Sequence, residues 1–481
     1  MLYHSTRSNC DFVDSAQAVL TGLAPDGGLY MPEHLPSFDW KQCLEVSSLD
    51  MATMILSALL PDIPDMPQLV KKAYTGKFET DDLTPTVPVG GFGVLELFRG
   101  PTSAFKDVAL SMLPQLLTAA KSAKGMKEDI MILTATSGDT GKAALEGFHD
   151  VEGVRITVFY PYGGVSQVQR AQMVTQEGNN VAVCAVYGNF DDAQTGVKNI
   201  FAACQGKELP FALSSANSIN IGRLAPQIMY YFRSYRDLLD AGKIRLGDEV
   251  NFSVPTGNFG DILAGYLAKL LGLPVGKLIC ASNANNVLTD FIRTGTYDRQ
   301  RPLLKTTSPS MDILVSSNLE RLLYLLSGDT ALVAGLMKQL NTEGAYTIPA
   351  ELLNKIQSEF WAAYCDDARA DEIMGRVYKD YGYLCDPHTA SGWAAAEDYI
   401  AETGDKRAMV VLSTASPYKF PVAVLNAIGG DTSGTEFEQM ERLSAITGVP
   451  VPRNLAGLQG KEEKHTGVIE KDKMLDYVLS L

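Results

Sequence analysis

The chain has 481 residues, of which 46% are hydrophobic and 20% are charged, and its formal net charge is −15. This length predicts two or three domains, and this composition excludes a disordered chain. The acidic balance argues against a nucleic-acid-binding protein, and an anionic ligand would need a local positive pocket within the acidic envelope.

The cysteines, histidines and apolar runs narrow the class of protein further. The seven cysteines form no Cys-x-x-Cys pair, which is typical of reduced thiols in a cytoplasm. The five histidines are far apart in the sequence, so their spacing predicts no metal site. The polar start and the lack of any run of 18 apolar residues predict neither a signal peptide nor a membrane span. We therefore expect a cytoplasmic protein without membrane association; the sequence carries no signal of its oligomeric state.

The N-terminal part of the chain differs in pattern from the rest. Residues 46–64 (VSSLDMATMILSALLPDIP) predict an amphipathic helix ended by proline, and residues 22–32 (GLAPDGGLYMP) are rich in turn formers. Residues 80–91 (TDDLTPTVPVGG) are polar and contain two prolines, which is typical of a domain boundary. We predict an N-terminal domain over residues 1–82.

Beyond this boundary, apolar β-branched runs alternate with segments of helical periodicity. The runs include IMIL, VRITVFYP, NVAVCAVYG, NFSV and KLICAS. Such alternation predicts βαβ units and mainly parallel sheets. We therefore predict an α/β fold in which residues 83–481 form two doubly wound lobes, the smaller over about residues 110–225. Residues 221–242 read as one long helix, and residues 317–380 read as a helical insertion.

Ligands of doubly wound folds bind at the carboxyl ends of strands, and the first unusual loop there is TATSGDTGKA, residues 134–143. Helix N–H groups together with Ser137, Thr140 and Gly141 would form an anion cradle. A P-loop would need Gly at position 136 and Ser or Thr at position 143, where this chain has Thr and Ala, so an NTPase is excluded. An ordinary helix N-cap explains this loop equally well.

Two further loops follow predicted strands. In PTGNFGD, residues 255–261, two glycines flank Asn258 and Phe259 at a helix start, where a backbone can approach a phosphate. This pattern is too short for a dinucleotide fingerprint, and a plain turn would also explain it. In LSTASPYKF, residues 412–420, hydroxyl side chains could cap a helix, or one of them could meet a ring nitrogen.

The stretch GPTSAFKD, residues 100–107, places Lys106 behind Phe105 and after a Gly-Pro turn. A lysine at a turn is usually solvated, but a lysine held against apolar neighbours loses its proton readily and can form an imine. We expect desolvation near Phe105 to lower the pKa of Lys106. The natural partner of an imine lysine is pyridoxal phosphate, which also needs a phosphate cradle and a ring-nitrogen partner. The loops above offer candidates for both.

Taken in order, these motifs resemble the threonine synthase family, pyridoxal-phosphate enzymes of the tryptophan-synthase-β-like fold (fold type II). The resemblance is carried by YHSTR, GLAPDGGLYMP, LFRGPTSAFKD, LTATSGDTG, SANSINIGRLAPQ, PTGNFGD, SMDILVSSNLER and LSTASPYKF, and it covers nearly the whole chain. The long form of the family, without a regulatory extension, fits best. The first two motifs correspond to the family's N-terminal domain.

The resemblance implies a role for individual residues of the site. Lys106 would be the Schiff-base lysine, Thr414 would bond the pyridine nitrogen, and Asp139 would lie beside the cofactor ring. The cofactor phosphate would be held by Gly257, Asn258, Phe259 and Gly260. The phosphate of O-phospho-L-homoserine would be bound by Thr140, Asn217, Ser218 and Arg223.

The reaction implied by the resemblance converts O-phospho-L-homoserine and water into L-threonine and phosphate, the last step of threonine biosynthesis. Lys106 would move protons at Cα and Cβ, phosphate would leave from Cγ, and water would add at Cβ. Two alternatives stay open. One is a lyase or dehydratase of the same fold that releases a 2-oxo acid, and the other is a cofactor-binding regulator without turnover.

Overall fold

The computed structural model describes residues 1–204, 207 and 209–481 of the chain. The N-terminal segment forms a three-stranded antiparallel sheet in the order β2-β1-β3. Its elements are β1 (Leu2–Ser5), β2 (Val13–Asp14), α1 (Ser15–Thr21), β3 (Tyr30–Pro32), α2 (Trp40–Leu44), α3 (Ser48–Leu59) and α4 (Met66–Tyr74). The predicted amphipathic helix is confirmed as α3, which begins after the capping hydroxyl of Ser47 and ends before Pro61.

The rest of the chain alternates strands and helices. The strands are β4 (Thr86–Val89), β5 (Phe92–Glu96), β6 (Asp129–Ala135), β7 (Val154–Pro161), β8 (Val181–Val186), β9 (Phe211–Ser215), β10 (Val250–Pro255), β11 (Val275–Ser282), β12 (Thr296–Asp298), β13 (Ala345–Thr347), β14 (Phe360–Tyr364), β15 (Ala408–Ser413) and β16 (Val468–Ile469). The helices are α5 (Lys106–Ala123), α6 (Asp139–Phe148), α7 (Gln167–Val174), α8 (Phe190–Cys204), α9 (Ile221–Leu224), α10 (Ile228–Asp240), α11 (Gly260–Leu270), α12 (Val287–Thr294), α13 (Leu319–Ser327), α14 (Thr330–Glu343), α15 (Ala350–Glu359), α16 (Asp367–Tyr381), α17 (Pro387–Thr403), α18 (Pro421–Ala427), α19 (Glu436–Thr447), α20 (Arg453–Ala456) and α21 (Met474–Ser480).

Two larger sheets organise these elements, which confirms the predicted two-lobed α/β architecture. The larger sheet has the strand order β14-β11-β10-β15-β5-β4 and is parallel except for β4. The smaller sheet has the order β16-β8-β7-β6-β9 and is parallel throughout. The structure adds a late segment to the smaller lobe, because β16 near the end of the chain pairs with β8.

Two helical predictions are wrong in detail. The predicted helical insertion over residues 317–380 contains β14, which pairs in parallel with β11 at the edge of the larger sheet. Helix α15 runs directly into this strand, so no glycine or proline marks the boundary, and a short apolar run does not distinguish helix from strand. The predicted long helix over residues 221–242 is divided into α9, a 3-10 turn at Ala225–Gln227 and α10, because Pro226 lacks an N–H donor.

Within the described ranges, no helix combines the length and the apolar character needed to cross a bilayer. In that same part of the chain, no three His, Cys, Asp or Glu side chains gather as a metal site would require.

Candidate active site

Lys106 is the first residue of α5 and is buried, with only 9% of its surface exposed. The Phe105 ring packs against it, with the ring centroid 4.8 Å from the lysine Nζ. The neighbouring Asp107 is structural, because its carboxylate accepts the backbone N–H of Thr102 at 2.8 Å and also the Thr102 hydroxyl. Gly100 permits this turn, since a Cβ there would lie 2.5 Å from the Asp107 Cβ. The motif GPTSAFKD is therefore a tight turn that fixes the lysine at a helix start.

The Lys106 amine belongs to a buried cluster of charges. Its Nζ donates to the Ser310 hydroxyl at 3.3 Å and lies 3.9 Å from Asp139 Oδ2. The other oxygen of Asp139 pairs with the Lys419 Nζ at 2.7 Å and accepts from the Gln169 amide at 2.9 Å. The Ser310 hydroxyl lies 3.4 Å from Asp139 Oδ2 and can donate to it. Two lysines, one from each side of the carboxylate, thus share a single acidic partner.

This arrangement sets the protonation of the cluster. Burial lowers the pKa of Lys106 to about 8. The charge of Asp139 opposes this lowering, and the charge of Lys419 adds to it. Burial alone would raise the pKa of Asp139, but the charges of Lys419 and Lys106 outweigh it and hold that pKa well below its usual range. The predicted lowering of the Lys106 pKa is confirmed. At neutral pH Asp139 is therefore an anion, and Lys106 loses its proton only slightly above neutrality.

A buried histidine fixes the segment that carries Ser310. The backbone N–H of Ser310 donates to His388 Nε2 at 3.2 Å, and His388 Nδ1 lies 2.5 Å from Asp386 Oδ2. Because Nε2 accepts, the proton of the ring is on Nδ1 and is donated to Asp386. Asp386 also caps α17 by accepting the Thr389 N–H at 3.1 Å. This hydrogen-bond relay holds Ser310 in place against the lysine.

The glycine-containing loop after β10 forms a tightly packed helix start. Gly260 begins α11, and Phe259 precedes it with a buried ring and a φ of 64°, in the left-handed region. A Cβ on Gly257 would lie 2.6 Å from the Ser310 carbonyl oxygen, so only glycine fits there. Asn258 is exposed between them. The free N–H groups at this helix start can bind a phosphate.

Thr414 follows β15 and is anchored directly to the lysine's turn. Its carbonyl accepts the Phe105 N–H at 2.8 Å, and the next residue, Ala415, forms an isolated antiparallel bridge with Ala104. Thr414 is buried, with 5% of its surface exposed. The hydroxyl of Thr414 and the amine of Lys106 are therefore held on adjoining backbone segments.

Arg223 supplies a buried positive charge near the lysine. It lies in α9 with 4% of its surface exposed, and its Nη1 donates to the Ala216 carbonyl. Its Nε is buried and has no hydrogen-bond partner in the described part of the chain. Burial lowers the pKa of Arg223 to about 10, and its charge helps to lower the pKa of Lys106. A buried guanidinium with an unused donor fits an anionic ligand.

The other predicted phosphate ligands lie on two loops, one that leads into the helix of Arg223 and one beside Asp139. Asn217 is exposed and Ser218 is half-buried in the turn that leads into α9. Ser218 adjoins the loop after β10, because a Cβ on Gly260 would lie 3.9 Å from the Ser218 Cβ. Thr140 is half-buried next to Asp139 in the first turn of α6. The predicted residues thus sit on neighbouring loops around the lysine.

Sequence reasoning missed Lys419, Ser310, Gln169 and the pair of His388 and Asp386. Lys419 stands inside the motif LSTASPYKF, where a lysine among hydroxyl residues after a buried strand is a usable signal. The sequence Asp-Pro-His at a helix start is a weaker signal for the histidine pair. Ser310 and Gln169 have no local signal, since only their contacts reveal them.

A buried lysine, a glycine-lined helix start and an adjoining hydroxyl are the parts that a pyridoxal phosphate site needs. The family model described as pyridoxal-phosphate dependent enzyme matches residues 83–414. The models described as threonine synthase N terminus and as threonine synthase, C-terminal, match residues 2–74 and 389–476. The chain belongs to the threonine synthase family.

Individual relatives agree with this assignment. Threonine synthase from Pseudomonas aeruginosa is 39% identical over 479 residues, covering 97% of this chain and 98% of that protein. Threonine synthase-like 1 from Homo sapiens is 37% identical over 458 residues, covering 90% of this chain; the chain spans 61% of that longer protein. The crystal structure of PLP-bound threonine synthase from Brucella melitensis has a TM-score of 0.88 at 38% identity and covers 100% of this chain and 99% of that one.

Proposed function

We propose that this protein converts O-phospho-L-homoserine and water into L-threonine and phosphate, with pyridoxal 5'-phosphate as its cofactor. The observation that carries the proposal is the buried Arg223 guanidinium, whose Nε lacks a partner among the described residues and whose charge acts on Lys106. An anion site beside a reactive amine suits an amino acid that carries a phosphate. Family membership supports the same reaction.

The residues present fit the cofactor. Lys106 would hold it, and Gly257, Asn258, Phe259 and Gly260 would hold its phosphate at the start of α11, where the missing Cβ atoms let the backbone approach closely. Thr414 would bond the ring nitrogen, and its neutral hydroxyl would not force that nitrogen to stay protonated. Asp139, fixed by Lys419, would lie beside the ring. When bound, the cofactor supplies an electron sink for the substrate's carbon atoms.

Lys106 is the residue that would move protons at the substrate. With a pKa of about 8, its amine is neutral in a useful fraction of molecules near neutrality and can accept a proton from Cα. The same amine can then exchange a proton at Cβ. Ser310 and Asp139 keep the Nζ atom in place between these transfers, because both lie within 4 Å of it.

Arg223, Asn217, Ser218 and Thr140 would bind the phosphate of the substrate. The bond between Cγ and the phosphate oxygen breaks, and phosphate leaves with the electron pair. A proton taken from Cβ is returned to Cγ, which becomes the methyl group, and the Cα proton is returned to Cα. Water adds its hydroxyl at Cβ, and its proton is taken up by the released phosphate. A buried arginine stabilises the leaving anion more strongly than a solvated one, since the local dielectric constant is lower. L-Homoserine, which lacks the phosphate, should therefore be a poor substrate.

A product assay tests the proposal. The purified protein with pyridoxal phosphate is given O-phospho-L-homoserine, and phosphate, threonine and 2-oxobutanoate are quantified together, with Lys106→Ala as the inactive control. Threonine equal to phosphate is the expected result. Phosphate accompanied by 2-oxobutanoate would replace the proposal with a lyase, and the lack of any phosphate release would favour a cofactor-binding protein without turnover.

A further inference from the structure

The motif SSNLER, residues 316–321, lies at the start of α13 and has no part in the roles assigned above. Two of its side chains are fully buried: Asn318 and Arg321 are each 0% exposed. Complete burial of an arginine is unusual and requires acceptors for its donors. The partners of these two side chains therefore indicate what the motif does.

Asn318 joins the two loops that are proposed to bind phosphate, one carrying Ser218 and the other carrying Asn258. Its Nδ2 donates to the carbonyl of Ser218 at 3.2 Å and to the carbonyl of Asn258 at 3.2 Å. Its backbone N–H donates to the same Asn258 carbonyl at 3.1 Å. The loop that carries Ser218 and the loop that carries Asn258 belong to different strand ends, so one amide group spans the gap between them.

Arg321 fixes the orientation of that amide. Its Nη1 donates to Asn318 Oδ1 at 2.6 Å, and because arginine cannot accept, the oxygen of the amide must face it and the NH₂ group must face the loops. The Arg321 Nη2 donates to the carbonyls of Ile219 at 2.6 Å and of Tyr30 at 3.2 Å. Arg321 thus also ties the Ser218 loop to the N-terminal domain.

The close approach of the two loops is built into the backbone. A Cβ on Gly260 would lie 3.3 Å from Asn318 Nδ2 and 3.9 Å from the Ser218 Cβ. The glycine therefore leaves room for the amide and for the neighbouring loop at the same time. Any movement of the Ser218 loop would break contacts to Asn318 and Arg321 together.

We propose that Asn318 and Arg321 form a clamp, a pair of positioning residues that holds the Ser218 loop at a fixed distance from the cofactor loop. The clamp sets the position of the substrate's phosphate group relative to Lys106; the identity of that substrate rests on the proposed function. Neither side chain contacts the reacting atoms, so both act through the backbone carbonyls that they bind.

The clamp predicts an asymmetric loss of binding. Without the Asn318 side chain, the Asn258 carbonyl keeps the backbone N–H as its donor, but the Ser218 carbonyl loses its contact to the clamp amide. Binding of inorganic phosphate to the holoenzyme should weaken roughly tenfold, since a carbonyl is left without its donor. The affinity for pyridoxal phosphate should change by less than about threefold, since the cofactor loop remains held.

The experiment compares Asn318→Ala and Asn318→Asp with wild type and with Arg7→Met. Asn318→Asp keeps the side-chain volume and the acceptor for Arg321 but adds a negative charge, whereas Asn318→Ala removes the donor without adding charge. A loss common to both variants therefore reports the missing donor and neither the packing nor the charge. Arg7 binds Glu320 on the same helix at 2.8 Å, and among the described residues it forms no hydrogen bond to either loop, so Arg7→Met reports the effect of loosening α13. Phosphate and cofactor dissociation constants are measured by calorimetry, together with KM, kcat and Tm.

The expected result is a weaker phosphate affinity and a higher KM in both Asn318 variants, with cofactor affinity nearly unchanged and Arg7→Met close to wild type. The clamp would be overturned if Asn318→Asp bound phosphate as tightly as the wild-type enzyme does. It would also be overturned if Arg7→Met lost as much phosphate affinity as the Asn318 variants. Wild-type holoenzyme that binds no phosphate would also overturn it. If the wild-type enzyme bound phosphate but formed no threonine, the proposed function would be overturned. The clamp would still be tested in that case, by comparing the phosphate dissociation constants of the variants with that of wild type.

Discussion

Asp139→Asn is the substitution that tests the electrostatics of the site most directly. Asn has nearly the same shape as Asp, so the change removes one charge from the cluster and converts one of the two acceptor oxygens into a donor. The carboxylate of Asp139 lies 3.9 Å from the Lys106 Nζ and raises its pKa against the effect of burial. Without this anion the neutral amine is favoured, and the pKa of Lys106 falls.

The size of the effect follows from the distance. Two unit charges 3.9 Å apart interact by about 4 kcal/mol at an effective dielectric constant of about 20, which suits a buried pair. This energy corresponds to about a thousandfold weaker proton binding by the amine. The charge of Lys419 also lowers the pKa of Lys106, so it acts in the same direction as the loss of the carboxylate.

The assay follows the capture of pyridoxal phosphate by the apoprotein as a function of pH, using visible absorbance in a stopped-flow instrument. Only the neutral amine attacks the carbonyl of the cofactor, so the pH of half-maximal rate reports the pKa of Lys106. The cofactor's own titrations are the same for every variant and cancel in the comparison with wild type.

The half-maximal pH should move downward in Asp139→Asn. The matched control is Ser310→Ala, which removes a neutral hydrogen bond to the same Nζ atom and should move proton binding by less than about tenfold. A half-maximal pH that is unchanged or higher in Asp139→Asn would refute the reasoning. Equal shifts in the two variants would show that hydrogen bonding, and not charge, controls the amine.

Three further outcomes are expected. Arg223→Met should raise KM for O-phospho-L-homoserine roughly thirtyfold, because a charged hydrogen bond is lost. The control Arg236→Met on α10 should leave KM unchanged, and equal KM values in the two variants would contradict the anion site. Gly257→Ala should weaken cofactor binding roughly tenfold, because the added Cβ would lie 2.6 Å from the Ser310 carbonyl oxygen. In the control Gly335→Ala the added Cβ meets nothing within 4 Å, so this variant should bind the cofactor as wild type does. Phosphate at a hundredfold excess over its Kd should stabilise the holoenzyme by about 3 kcal/mol, measured as a rise in Tm that Arg223→Met abolishes.

The sequence predicts those parts of the candidate site whose signals are local. A lysine after a Gly-Pro turn, and glycines at a helix start after an apolar run, are visible within about ten residues. The strand and helix alternation was sufficient for the two lobes, because the periods of strands and helices differ. The strand β14 was not predicted, because it follows α15 directly and no glycine or proline marks the boundary.

The remaining parts depend on contacts between distant residues. Ser310 lies 171 residues from Asp139, and Lys419 binds a carbonyl 317 residues away at Thr102. No periodicity or capping rule connects such pairs, since they meet only when the two sheets are assembled. Asn318 is a further example. The sequence contains its motif, but the role proposed for it rests on its contacts with the distant carbonyls of Ser218 and Asn258.

The distribution of charge links these observations. The chain as a whole carries a net charge of −15, yet Lys106, Lys419 and Arg223 are each less than 10% exposed at the site. Burial raises the pKa of Asp107 to about 6 and that of Asp261 to about 7, although a lysine charge acts on each of them, so these surroundings disfavour an anion. Asp139, held between two lysines, instead has a pKa below its usual range.

Lys106 and Lys419 share one carboxylate, Asp139, and Arg223 donates to a backbone carbonyl instead of a carboxylate. Uncompensated buried charge is costly, and it persists where a ligand supplies the missing partner. One phosphate at the start of α11 and a second beside Arg223 would supply that negative charge. The local positive charge that the acidic composition required of an anion-binding protein would thus come from three cations that lie far apart in the chain. The clamp at Asn318 and Arg321 would set the distance between the two phosphates that these cations attract.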